Sequence, residues 1–123
     1  MSKLTWTTAY LCAIFWSLVA TADELPVVRI GSKNFTESYI LAEILAQTVE
    51  KAGIAKVERR LGMGSTGLLF SALKNGEIDI YPEYTGTLAT ALLKNEGRLD
   101  EAALQDELRA DGLSISKPLG FNN

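Results

Sequence analysis

The apolar positions downstream of residue 26 change period along the chain, and these changes mark out secondary-structure elements. Short apolar runs bounded by Gly, Pro or polar residues are typical of strands, and apolar residues spaced by three and four are typical of helices. Strands are predicted at 27–31, 55–61 and 77–84, and helices between them at 35–53 and 65–76. This alternating order predicts an α/β fold in which helices cover both faces of a parallel sheet.

The first predicted helix has recognisable ends and one apolar face. Thr36 is a suitable N-cap, and Gly53 is a suitable left-handed stop. The face that we expect to turn inward consists of Ile40, Leu41, Ile44, Leu45 and Val49.

Two more helices and one more strand are predicted after residue 84. The segment 85–97 is expected to direct Leu88, Leu92 and Leu93 inward, and 99–112 forms a further amphipathic helix. Residues 113–123 have the pattern of a new strand. The size suits either a small complete domain or the first part of a longer one.

The first 22 residues have the pattern of a secretory signal peptide. One basic residue, Lys3, precedes the apolar run Ala9–Ala20, and Ala20-Thr21-Ala22 forms an A-x-A cleavage site. The run is short for a transmembrane helix, and an uncleaved membrane anchor is the alternative. The sequence therefore predicts a signal peptide at 1–22 and a periplasmic domain at 23–123.

Composition excludes several classes of function. The chain has no histidine and one cysteine, Cys12, which lies inside the predicted signal peptide. We therefore do not expect a metal site, a Ser-His-Asp hydrolase or a disulfide-stapled domain, and no cofactor is indicated. The 12 basic and 15 acidic residues give a net charge of −3, so a nucleic-acid partner is not expected.

The segment Arg60–Leu68, RLGMGSTGL, contains a G-x-G-x-x-G pattern before a predicted helix, and Glu83 follows about 20 residues later. In a dinucleotide-binding fold this pattern follows a buried first strand, whereas Glu58 and Arg59 suit the edge of a sheet. An exported protein also rarely meets NAD. We favour a glycine turn whose helix N-terminus attracts a small anion, and an NAD-dependent oxidoreductase is the alternative.

Two other strand-to-helix junctions carry residues suited to a charged ligand. Lys33 lies in the first junction, GSKNFTES, where it could face a carboxylate. Tyr81 and Tyr84 flank the third junction, and Thr87 follows in the next helix. A quaternary ammonium has no N–H to donate, so the face of a tyrosine ring suits it, although we expect Tyr81 to pack in the core. Because the ends of parallel strands meet at one edge, the junctions are predicted to line one crevice.

Three long segments resemble one protein family. They are IGSKNFTESYILAEILAQTVEKAG, ERRLGMGSTGLLFSALKNGEIDIYPEYTGT and SKPLGFNN, and together they extend over nearly all of the chain after residue 22. The motifs G-S-K-x-F-T-E and G-E-I-D-I-Y-P-E-Y-T-G-T are the most specific. The chain is similar to the substrate-binding proteins of osmoprotectant ABC transporters, which form the glycine betaine, carnitine and choline family.

The resemblance implies a type II periplasmic-binding-protein fold, in which two α/β lobes close on a trimethylammonium compound held by tyrosines. It implies that Tyr84 belongs to this cage, that Thr87 makes a polar contact and that Lys33 lies near the ligand's carboxylate. The loop bordering the cleft would comprise Gly64, Ser65 and Thr66. The implied partner is a permease in the inner membrane, and no enzymatic activity is implied.

The resemblance further implies that residues 23–123 form the N-terminal part of lobe 1, so that the lobe is incomplete. The other cage aromatics and the arginine that holds the carboxylate in relatives have no counterpart here. With only one or two aromatic faces, we expect binding no tighter than about millimolar, or none. The alternatives are a binding protein for another small zwitterion, such as an amino acid, and a nonfunctional remnant.

Overall fold

The computed structural model describes residues 24–91 and 101–120, and it confirms the predicted helices and the first two predicted strands there. The elements are β1 (Val27–Gly31), α1 (Thr36–Ala52), β2 (Lys56–Arg60), α2 (Thr66–Lys74), α3 (Thr85–Ala91) and α4 (Glu101–Ala110). The predicted signal peptide at 1–22 lies outside the described residues, as do Leu92 and Leu93. Within the described ranges, every helix is too short or too polar to cross a membrane.

The sheet is built around β1. β1 and β2 run parallel, with Val28 beside Val57. The third predicted strand is reduced to one parallel bridge between Ile30 and Ile80. A longer ladder is prevented by Pro82, which lacks an amide hydrogen. β1 is therefore the central element, and β2 lies at the edge as its charged residues predicted.

Helices cover both faces of β1, as predicted. Ile30 is fully buried and packs against Ala42 and Ala46 of α1. The next residue, Gly31, faces the opposite side, because successive residues of a strand alternate between faces. A Cβ on Gly31 would lie 2.7 Å from Ile78 Cδ1 and 3.2 Å from Leu69 Cδ2. Since Leu69 belongs to α2, the glycine allows α2 and the following segment to approach this face closely.

The face of α1 that packs on the sheet differs from the predicted one. Its buried residues are Ser38, Ala42 and Ala46, which are spaced by four and form one stripe. Their small side chains let the helix backbone approach β1. Ile40 and Ile44, which were expected to turn inward, are 55% and 57% exposed. Of the other predicted residues, Leu41, Leu45 and Val49 are partly buried, and Leu45 packs against this cluster. The prediction was therefore wrong for Ile40 and Ile44, because it followed the large apolar residues and ignored the small ones.

The predicted end of α1 is confirmed, and its predicted start is wrong by one residue. Gly53 is the C-cap with a φ of 66°, whereas the N-cap is Phe35 and Thr36 is the first helical residue. The N-cap Phe35 makes no side-chain capping hydrogen bond. Ser38 in the first turn instead holds the preceding loop, because its hydroxyl accepts a hydrogen bond from the backbone N–H of Lys33.

The strand predicted at 113–123 is absent from 113–120, the part of it that the structure describes. Leu113 and Ile115 instead pack against a cluster that contains Leu88, Leu104 and Leu108. Their alternation with polar residues therefore reflects packing against helices α3 and α4. The inward position predicted for Leu88 is confirmed, since only 5% of it is exposed.

Candidate ligand-binding site

The junctions after β1 and β2 are joined through Ser32, which is fully buried. The Ser32 hydroxyl accepts a hydrogen bond from Gly62 N at 2.9 Å. Its carbonyl accepts a second from Met63 N at 2.9 Å, and its own N–H donates to Arg60 O at 3.2 Å. Because Gly31 N also donates to Ile80 O at 2.9 Å, the third junction is held beside the first. The three predicted junctions therefore meet at one edge of the sheet.

Lys33 is buried at this meeting point, with 7% of its surface exposed. Its ammonium lies 2.5 Å from Glu83 Oε1 in the third junction and 3.4 Å from Thr66 Oγ1 at the start of α2. The side chains of Lys33 and Glu83 are 8% and 9% exposed. One side chain from the first junction thus links the second and the third.

Two aromatic rings lie beside the same ammonium. Lys33 Nζ is 5.4 Å from the centroid of the Phe35 ring and 5.7 Å from that of the Tyr84 ring. Both distances are within the range of a cation–π interaction. The backbone N–H of Tyr84 also donates to Glu83 Oε1 at 3.0 Å, so that Glu83 orients the tyrosine as well as the lysine. This edge of the sheet can therefore hold an ammonium group between aromatic faces.

The Tyr84 hydroxyl lies in a negatively charged environment. Its interaction with Glu37, followed by desolvation and the charge of Glu83, raises the pKa of Tyr84 to about 12. Its oxygen is buried and makes no hydrogen bond of good geometry with the described residues, although the Glu37 carboxylate lies close enough to raise its pKa. The contribution of Tyr84 to this site is therefore its ring face.

The other predicted site residues lie nearby without joining this network. Gly64 is half-buried in the turn before α2 and has a φ of 115°. Ser65 is the exposed N-cap of α2 and makes no side-chain capping hydrogen bond. Thr87 lies in the first turn of α3 and is partly buried. The structure thus places Thr66 and Tyr84 beside Lys33 and leaves Gly64, Ser65 and Thr87 outside this cluster, and the binding role of each of these residues stays a prediction.

Sequence reasoning missed two members of the cluster, Glu83 and Phe35. Glu83 was considered only as a carboxylate for a ribose, and Phe35 was not considered. A buried lysine requires a nearby opposite charge, but the burial of Lys33 is visible only in the structure, so no sufficient signal for Glu83 was present in the sequence. Tyr81, by contrast, packs against the buried Leu69, Ala72 and Ile78, as predicted. Burial raises the pKa of its hydroxyl.

The third glycine of the G-x-G-x-x-G pattern, Gly67, does not serve the purpose that a dinucleotide site requires. The third glycine of that pattern normally allows close packing of the helix on the strand. A Cβ on Gly67 would meet no atom of the described residues within 4 Å. The acidic residue, Glu83, is committed to Lys33. These observations remove the structural support for an NAD site.

Comparison with known proteins gives a consistent result. The family described as the substrate-binding domain of the ABC-type glycine betaine transport system matches residues 26–123. A glycine-betaine-binding protein from Pseudomonas aeruginosa is 38% identical over 128 residues, an alignment that covers 100% of this chain and 40% of the relative. An ergothioneine transport permease and binding protein from Helicobacter pylori, EgtU, is 37% identical, with 92% of this chain and 21% of the relative covered.

A solved structure also resembles this chain. Apo YehZ from Escherichia coli superimposes with a TM-score of 0.57 and 31% sequence identity, over 71% of this chain and 31% of YehZ. The chain therefore spans no more than 40% of the length of these relatives.

Proposed function

Because this chain belongs to the family of substrate-binding domains of ABC-type glycine betaine transport systems, we propose that it is the solute-binding component of an ABC importer. Its ligands are quaternary-ammonium osmoprotectants such as glycine betaine, choline and carnitine. Its macromolecular partner is a permease in the inner membrane. The proposal describes a binding protein and assigns no catalytic step to it.

The observation that carries the proposal is the position of the Lys33 ammonium beside the rings of Phe35 and Tyr84. A trimethylammonium group has the same charge but no N–H, so it depends on aromatic faces and on nearby carboxylates. Phe35 and Tyr84 provide the faces, and Glu37 provides negative charge near Tyr84, whereas the charge of Glu83 is paired with Lys33. The cluster thus matches the cationic end of these ligands.

The described residues provide one wall of such a site. A cation–π contact contributes about 0.5–1 kcal/mol at an exposed site and about 2 kcal/mol when desolvated. Two contacts give at most about 4 kcal/mol, which corresponds to a dissociation constant near 1 mM. We therefore expect this chain alone to bind choline or glycine betaine in the millimolar range or more weakly.

The test is an NMR titration of the full chain with choline and with 3,3-dimethyl-1-butanol, which has the same shape but no charge. Choline is expected to shift the amide signals of Phe35 and Tyr84, and the neutral analogue is expected to leave them unchanged. Equal shifts with both compounds would contradict recognition of a cation. Ergothioneine, carnitine and glycine betaine complete the ligand set, and NAD and glycine are the negative controls.

Export to the periplasm is the second part of the proposal, and it depends on residues 1–22. We expect the chain to be recovered from the periplasmic fraction with Asp23 as its first residue. N-terminal sequencing of the fractionated protein tests this expectation. Recovery of an uncleaved chain in the membrane fraction would favour an anchor instead.

A further inference from the structure

The Tyr84 side chain lies near one ammonium, beside its ring, and near two carboxylates that act on its hydroxyl. The ammonium is that of Lys33, 5.7 Å from the ring centroid. The carboxylates are those of Glu37 and Glu83, both of which raise the pKa of the Tyr84 hydroxyl. Two negative charges and one positive charge therefore lie near Tyr84.

Glu83 compensates the charge of Lys33. The pair is separated by 2.5 Å, and both side chains are less than one tenth exposed. At such burial, solvent and salt screen the attraction only weakly. An ammonium has three N–H donors, and two of those of Lys33 are directed at Glu83 and Thr66. A ligand's carboxylate would thus meet a neutral ion pair with one donor left.

The second carboxylate oxygen of Glu83 adds to this effect. Oε1 accepts hydrogen bonds from Lys33 Nζ and Tyr84 N, while Oε2 is buried and has no hydrogen-bond partner in the described part of the chain. A buried anionic oxygen with free acceptor capacity attracts cations and repels carboxylates.

We propose that Glu83 determines the ligand preference of this wall, favouring the cationic group over the carboxylate by neutralising Lys33. This inference rests on the proposed function. Glu83 acts through Lys33 and is a positioning residue. Without its negative charge, Lys33 would be free to bind the carboxylate of a zwitterion.

The test compares choline with glycine betaine, which share a trimethylammonium group and differ in a hydroxyl against a carboxylate. Affinities of both are measured by NMR titration for the full chain and for Glu83→Gln, which keeps the shape of the side chain and an acceptor for Tyr84 N. Loss of a buried compensating charge is expected to raise the ratio of betaine affinity to choline affinity about tenfold.

Two further variants separate this role from a structural one. Glu43→Gln removes a carboxylate whose partner is Arg59, and we expect an unchanged ratio. The double variant Lys33→Gln/Glu83→Gln leaves no buried charge unpaired, and its ratio is expected to return to that of the unmodified chain.

A ratio that does not change in Glu83→Gln, or a change that persists in the double variant, would overturn the inference while the proposed function stands. If neither ligand binds any of these proteins, both fall together.

Discussion

The ammonium of Lys33 contacts the carboxylate of Glu83 across 50 residues of sequence, at a distance of 2.5 Å. The contact joins the junction after β1 to the junction before α3. Both side chains are almost fully buried. A pair of this kind is costly to break, because the remaining partner is left as an uncompensated charge in a medium of low dielectric constant.

Replacing Lys33 alone is therefore expected to destabilise the fold. Lys33→Met leaves Glu83 buried without a counter-charge and should lower the free energy of unfolding by about 3–5 kcal/mol. The double variant Lys33→Met/Glu83→Leu should regain most of this loss, since apolar residues of similar volume replace a buried pair at little cost. Urea denaturation followed by circular dichroism measures each value.

A surface pair provides the matched control for this experiment. Lys56 and Glu24 form an ion pair in which the side chains are 55% and 82% exposed. Lys56→Met should change the free energy of unfolding by less than about 1 kcal/mol. Equal losses in Lys33→Met and Lys56→Met would show that burial does not govern the strength of the Lys33 pair.

The architecture could be predicted from the sequence because its signals are local. The alternation of strands and helices, the stop at Gly53 and the edge position of β2 each depend on a few neighbouring residues. The face of α1 was predicted only in part, because its centre depends on Ala42 and Ala46, whose small size matters only once β1 is in place. The third strand was overestimated because its pattern does not reveal how far pairing with β1 extends.

The site was predicted in part. Lys33 and Tyr84 were expected from their positions at strand-to-helix junctions, and Thr66 from the family resemblance. The structure places Thr66 and Tyr84 beside Lys33, and their role in binding stays a prediction. The role of Glu83 could not be predicted, because sequence alone does not show that Lys33 is buried and needs a counter-charge. A residue's partner 50 positions away is set by the packing of the whole sheet.

The glycines before α2 are expected to differ in their tolerance of a side chain. Gly64 has a φ of 115°, and a Cβ there would lie 2.9 Å from Leu68 Cδ1. Gly64→Ala should therefore destabilise the fold by about 1–3 kcal/mol. Gly67 lies inside α2 with open space around it, so Gly67→Ala should stabilise by about 0.5–1 kcal/mol. Urea denaturation measures both, and a neutral Gly64→Ala would contradict the strained conformation.

The free energy of unfolding is expected to fall in acid, because the carboxylates paired with Arg59 become protonated. Arg59 binds Glu43 and Glu50, holding the pKa of Glu43 at about 2, against an ordinary value of 4.5, and lowering that of Glu50. A lowered folded pKa gives stability that is fully present above pH 4.5 and is lost as the pH falls toward 2. Urea denaturation at a series of pH values should show this decrease.

The variant Arg59→Gln identifies the source of that acid dependence. It should make the free energy of unfolding less dependent on pH between 4.5 and 2, and 1 M NaCl should act in the same direction because these side chains are partly exposed. Arg109→Gln removes an exposed pair with Asp106 and is the control, for which we expect the original curve. An unchanged slope in Arg59→Gln would assign the acid dependence to other carboxylates, such as Asp79.

Tyr84 is expected to contribute its ring, rather than its hydroxyl, to the binding of a quaternary ammonium. The hydroxyl has no hydrogen-bond partner among the described residues, so Tyr84→Phe should leave stability almost unchanged. It should also keep choline affinity within about twofold, whereas Tyr84→Ala removes the ring face and should weaken binding about 2- to 30-fold. An NMR titration of the three proteins with choline measures the difference. If Tyr84→Phe loses as much affinity as Tyr84→Ala, the prediction is wrong. The hydroxyl then contacts the ligand directly, and the ring face does not recognise the charge of the ligand.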